Sequence, residues 1–353
     1  MERFIRCSTI RLAVAAGALT VSIGCGDRTV PTAPTLGDQA ALAAGGGGGR
    51  SIVKSIVGLE PLFDAATNLS FALNVSDLGQ VVGTSSNSAG DLQAVIWEGS
   101  TFASPLGSTF SSVSGISPDG SVIVGRVGGT PVRWVKVNGV WTELALPGQV
   151  GVCFTVVIAG DGTIAGTCEI GKGPPSVVVW RNGVLTELGT GSAIAVNANQ
   201  QVLVQVGDES FIWDLRTNPM TVTPIGTLGG TGTTATDIND FGQVVGGSQN
   251  STGDLRPFLW TAKKGMVDLG TIGGSRGMAS AINNAGQIVG LSDLQGTTAV
   301  HATYWYKGKI HDLGVLSGYE SSFATDISAS GQVVGGSGID SDQRATLWTL
   351  DAK

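Results

Sequence analysis

An all-β fold, a seven-bladed β-propeller of four-stranded antiparallel blades, is predicted by three features of the sequence. The first is a repeat. Thr233 to Gly274, TTATDINDFGQVVGGSQNSTGDLRPFLWTAKKGMVDLGTIGG, is a unit that most of the chain from residue 51 onward rewrites. A turn glycine recurs at Gly79, Gly120, Gly162, Gly242, Gly286 and Gly331, with Gln200 in its place in the fourth unit. A tryptophan recurs independently at Trp97, Trp134, Trp180, Trp213, Trp260, Trp305 and Trp348. Both counts give seven units of about 43 residues, in the range of four-stranded propeller blades. The second feature is the phase of the ends: the repeat region opens on what reads as a fourth strand and closes on a third. The third is composition: 353 residues with 55 glycines and 13% charged residues, enough for a large core of short strands and tight turns.

Within the unit, TTATDIN and GQVVGGS read as strands a and b, because β-branched and apolar residues flank the turn residues Asn239, Asp240 and Gly242. RPFLWT and MVDLGT read as strands c and d around Lys264 and Gly265. No helix fits. Four short strands cannot bury both faces of their sheet alone, so neighbouring units must cover each other. An open solenoid and a closed ring both achieve this, and the end phase separates them. Ile52 to Leu59 matches strand d, whereas Arg344 to Trp348 matches strand c. An N-terminal strand completing the last blade closes the ring and removes an exposed sheet edge. If that strand is outermost, strand a lies innermost around the axis, and the d-to-a and b-to-c connections share one face.

Taken in order, residues 1–24 read as a targeting segment, with Arg3, Arg6 and Arg11 ahead of the apolar run Leu12 to Gly24. That run is too short to span a bilayer. It ends at Ser22-Ile23-Gly24-Cys25, which resembles the bacterial lipobox and implies lipidation at Cys25 and a membrane anchor. Ser22 departs from the usual leucine, so ordinary signal cleavage stays open. Residues 25–50, rich in Gly, Pro, Ala and Thr, read as a flexible tether, with a short arm on the blade surface as the alternative. Residues 51–353 form the propeller. Cys153 and Cys168 are symmetric about the turn Ala159-Gly160-Asp161-Gly162, so a cross-strand disulfide in an oxidising compartment is expected, against two free thiols. The net charge is −7, and loss of residues 1–24, with three arginines and one glutamate, takes it to −9. No basic stripe remains, which argues against nucleic acid as a partner.

In the third and fourth strands and turns, chemistry is sparse. Asp237-Ile238-Asn239-Asp240-Phe241-Gly242 has the look of a calcium loop but lacks a distal bidentate glutamate, so a hairpin turn is the better reading. His301 and His311, the only two histidines, fall on strands c and d, away from the axis, and no metal or cofactor site is expected. The repeated tryptophans read as inter-blade packing, and Trp141 aligns with Leu185 in strand d. What varies on this scaffold is polar residues of the b–c and d–a connections: Asp91, Asp254, Arg256, Asp293, Asp340, Asp342, Arg344, Arg276, Tyr319 and Glu320. Arg256, Arg276, Tyr319, Glu320 and Arg344 are the candidate ligand-binding residues.

The motifs Asp268-Leu269-Gly270-Thr271-Ile272-Gly273-Gly274 and Ile282-Asn283-Asn284-Ala285-Gly286-Gln287-Ile288-Val289-Gly290 resemble the HAF repeat family of exported bacterial proteins, whose naming triplet survives partly as His301-Ala302-Thr303. The resemblance covers about residues 51 to 353, is sharpest in units five to seven, and implies architecture and export without an active site to transfer. The expected function is a non-enzymatic binding or scaffold propeller, a monomer without cofactor, contacting a protein or glycan of the cell envelope. A polysaccharide-active enzyme using Asp340 or Asp342 with Glu320, and a multivalent lectin, are the alternatives.

Overall fold

The structure, a computed structural model, describes residues 9–14, 17–22, 52–63, 69–107, 110–148, 150–339 and 342–351. Seven four-stranded antiparallel sheets form a ring, each running a, b, c, d from axis to rim. The innermost strands are Ser70–Val75, Ser111–Ile116, Cys153–Ile158, Ser192–Val196, Gly229–Ile238, Gly273–Ile282 and Ser322–Ile327. Each packs against the next, and the seventh against the first. The seventh blade takes its outermost strand, Val53–Gly58, from the start of the repeat region; it pairs with Asp342–Leu350, setting Ile56 opposite Trp348. The expected ring closure is therefore observed. Apart from a hairpin in which Thr9–Val14 pairs with Gly17–Ser22, the leader, the tether and Cys25 lie outside the described residues.

Six of the a–b connections are the same three-residue loop, and the second blade's is one residue longer, Ser117 N–H donating to Val122 O. In the fifth blade Gly242 N–H donates to Asn239 O, and Asn239 N–H to Gln243 O, closing a tight turn whose third residue must be left-handed. That requirement explains the recurring glycine: all six have φ between 68° and 82°, and Gln200 adopts φ 59° in the fourth blade. A second glycine is required by close approach. A Cβ on Gly246 would lie 2.2 Å from Thr234 O, because strand a bulges toward strand b there. The fifth innermost strand starts earlier than TTATDIN: Gly229 pairs with Asn250 across a register shift before Thr233 resumes the ladder.

The core lies between blades. Trp134 is fully buried among Val82, Ile96 and Leu106 of the preceding blade, and all seven repeat tryptophans are buried. Three also donate from Nε1 to the connection behind them: Trp97 to Glu60 O, Trp180 to Pro147 O and Trp305 to Gly270 O. The tryptophan series is thus inter-blade packing, as expected. Serines finish the joint. Ser85, Ser248, Ser292 and Ser337 accept from the backbone N–H of Leu62, Leu228, Ile272 and Leu316 at 3.0 to 3.1 Å, joining the G-x-S of strand b to the L/I of the d–a connection.

Candidate binding face

The two faces of the ring differ in how their polar groups are used. On the a–b face, Asn239 Nδ2 donates to Asn283 O and Asn283 Nδ2 to Ser328 O, each in the next blade. Asn197 Nδ2 reaches Asn239 O in the same way. The circuit continues through Ala329 N–H to Asp77 Oδ1 and Asp77 N–H to Pro118 O. The I-N-x-x-G-Q motif is therefore a blade-to-blade tie, with Asn239 Nδ2 also donating to Gln243 Oε1. The Asp237 to Gly242 segment forms the expected hairpin turn.

Two carboxylates stand on the innermost strands. Asp237 accepts from Ile282 N–H of the next blade at 2.8 Å, and Asp326 from Val75 N–H across the seventh-to-first joint at 2.8 Å. Both are largely buried on the innermost strands. Desolvation pushes Asp237 up to about 7 and Asp326 up to about 6, against the pull of those backbone donors; the mutual repulsion of the two adds to Asp237. The sequence hid this pair, since other blades place Asn74, Ala195 or Ala281 there.

On the opposite face, the candidate arginines stand at strand ends and are already engaged. Arg256 Nε donates to Asp268 Oδ2 at 2.9 Å and Nη1 to Ser275 O at 2.9 Å, spanning the fifth and sixth blades. Arg276 Nε donates to Asp293 Oδ2 at 3.0 Å, one residue from that contact. Arg344 pairs with Glu60 beside the ring-closing strand. The structure thus brings Arg256 and Arg276 together at one junction and keeps Arg344 at another. Tyr319 and Glu320 lie between, in the connection leading to the seventh blade; Tyr319 packs on the core and Glu320 is exposed. Asp340 and the side chain of Asp342 lie outside the described residues.

This face also carries exposed apolar side chains, which sequence reading missed. Phe63, Phe110, Val152 and Phe154 are exposed at 55%, 73%, 45% and 47%. Arg126, paired with Ser112 next to Phe110, is half-buried, its Nη1 donating to Cys153 O at 3.0 Å; burial lowers its pKa. Elsewhere, an open cleft of about 260 Å³ between the outer strands of the third and fourth blades is lined by Val179, Arg181, Leu188, Leu215, Thr217 and Met220. His301 Nδ1 sits 2.9 Å from Asp312 on the rim, and among the described residues no group of three or more His, Cys, Asp or Glu could hold a metal ion. Cys153 and Cys168 form a disulfide, paired directly in register with Cα atoms 4.0 Å apart.

No protein-family model matches the chain. No curated protein matches it either. Among solved structures it is similar to an oligogalacturonate lyase in complex with manganese, at 12% identity and TM-score 0.59 over 84% of this chain and 93% of the other. It is similar to the WD40 β-propeller domain of Doa1, at 12% identity and TM-score 0.51 over 84% and 97%. It is also similar to the extracellular domain of a hybrid two-component system of B. thetaiotaomicron, at 8% identity and TM-score 0.56, covering 84% of this chain and 40% of that one. At such identities the likeness is one of fold alone: the chain is a seven-bladed β-propeller.

Proposed function

We propose that this protein is an exported, non-enzymatic binding scaffold of the HAF repeat type, held to a membrane through lipidated Cys25 and contacting a protein or glycan at the cell envelope. The observation that carries this reading is how the repeated polar residues are spent. Turn asparagines, strand-b serines and three of the repeat tryptophans bond one blade to the next. Variation is left to the face of d–a and b–c connections, where a binding surface can change without loosening the ring. The disulfide favours an oxidising compartment, and an extracellular domain is among the similar propellers. The protein acts as a monomer without cofactor or nucleic acid.

The test is affinity capture with the intact protein against detergent-solubilised envelope and shed polysaccharide, with mass spectrometry of both fractions. A near-stoichiometric partner lost when Arg256, Arg276 and Arg344 are replaced by alanine, in a variant that still melts cooperatively, supports the scaffold. Release of shortened glycan instead supports a polysaccharide-active enzyme, the reading that the similarity to an oligogalacturonate lyase keeps in play.

A further inference from the structure

Six of the arginines in the ring can be sorted by partner. Arg216, Arg256, Arg276 and Arg344 each meet a carboxylate: Asp214, Asp268, Asp293 and Glu60. Arg133 and Arg181 are exposed to water. Arg126 fits neither class. It is half-buried, and its contact is a neutral carbonyl, Cys153 O, with no carboxylate paired to it among the described residues. A guanidinium has five N–H donors, and a partly desolvated cation without a counter-charge is costly unless something supplies the charge.

Its surroundings are equally unbalanced. Arg126 lies in strand b of the second blade, in register with Ser112 of the innermost strand. Phe110 precedes that strand, and Phe110 O accepts from Gly128 N–H. A Cβ on the next residue, Gly129, would lie 3.2 Å from the Val152 side chain, and Gly129 O accepts from Cys153 N–H. Phe110, Val152 and Phe154 are therefore exposed apolar side chains on adjoining segments at the axial end of the second and third blades, and the Arg126 guanidinium reaches the same place through Cys153 O. Glu169 exchanges backbone hydrogen bonds with Gly151 and Val152, and its exposed carboxylate lies beside Gly151 without an ion pair to Arg126.

We propose that this mouth of the ring binds an extended peptide segment of a partner protein that carries one carboxylate between apolar side chains. The carboxylate meets Arg126, and the apolar side chains cover Phe110, Val152 and Phe154. Charge complementarity selects this occupant. One unsatisfied cation among three apolar side chains matches one anion with apolar flanks. A polyuronate presents a charge on every sugar to a protein whose net charge is −7, and an uncharged glycan leaves the guanidinium as it is. This rests on the binding-scaffold reading and assigns its partner chemistry and its place on the face.

The intact protein is immobilised and exposed to two synthetic pentapeptide pools, apolar residues flanking a central Asp in one and Asn in the other, and to oligogalacturonate. Wild type is expected to retain the Asp pool at least tenfold over the Asn pool. Arg126→Gln should abolish that preference, Arg126→Lys should keep most of it, and Phe110→Ser with Phe154→Ser should weaken retention of both pools. Melting curves show that each variant is folded, and Arg126→Lys separates charge from packing. Equal retention of the pools, selectivity unchanged in Arg126→Gln, or preference for oligogalacturonate overturns the site. An envelope partner captured equally well by wild type and Arg126→Gln also overturns it while leaving the scaffold function standing.

Discussion

At Asn239 one side chain does two jobs 44 residues apart. Its Oδ1 accepts from Phe241 and Gln243 N–H to shape its own turn, and its Nδ2 donates to Asn283 O in the next blade. The first job is visible in the sequence as turn chemistry. The second is not, because the partner is a backbone carbonyl and carries no side-chain signature. Gln200 is the exception that tests the turn. It holds φ 59° where six blades place glycine, and a non-glycine residue in that region costs about 1 kcal/mol or more. Gln200→Gly should therefore stabilise the protein by about 1 kcal/mol, seen as a higher urea midpoint at unchanged slope. The reverse holds at Gly246, where an added Cβ meets the backbone of strand a rather than a yielding side chain. Gly246→Ala should cost about 1–3 kcal/mol by the same measurement.

Within a blade, the third unit shows one element solving a shared problem differently. In three other blades strand a and strand b face each other with hydroxyl pairs at this register: Ser70 with Ser85, Thr233 with Ser248, Ser322 with Ser337. The Thr233 and Ser248 hydroxyls lie 2.9 Å apart. Cys153 and Cys168 occupy the same register, and a covalent bond replaces the hydrogen bond. A loop of that length is stabilised by about 3 kcal/mol on closure. Replacing both cysteines by alanine should lower stability by roughly that amount, and replacing both by serine should recover about 1 kcal/mol through the hydroxyl pair; urea denaturation of the three proteins decides it. The disulfide was legible because the symmetry of its two positions about the turn is a property of sequence alone. The binding face was legible only in part. Non-repetition picked out Arg256, Arg276 and Arg344, but their carboxylates sit on other strands or connections and could not be paired in advance. Arg126 left a signal that eroded repeats obscured: after the strand-b glycine or its equivalent the other blades carry Thr84, Thr167, Gln205, Gly247, Leu291 and Gly336, none of them charged.

Across the whole ring, closure was readable from the phase of the two ends, since an orphan fourth strand and a missing fourth strand are complementary. What pins the innermost strands was not, and it makes stability depend on pH. Asp237 ties the fifth blade to the sixth, and Asp326 ties the seventh to the first, each through a backbone N–H. Asp240 and Asp77 add negative charge nearby, and the two axial carboxylates repel each other. An ordinary aspartate titrates near 3.9 in the unfolded chain, whereas these are pushed up to about 7 and about 6 in the folded ring. Between those values the folded state binds more protons than the unfolded state, so stability falls as pH rises. The contribution is fully present below about pH 4 and is lost as pH climbs through 6 to 7. The melting temperature of the wild type should therefore drop by several degrees from pH 5 to pH 8. Asp237→Asn with Asp326→Asn keeps an oxygen acceptor for Ile282 and Val75 N–H but removes the titration, so its melting temperature should stay nearly level over that range and exceed the wild type at pH 8. A double variant that loses stability with pH as steeply as the wild type would place the titration elsewhere in the ring.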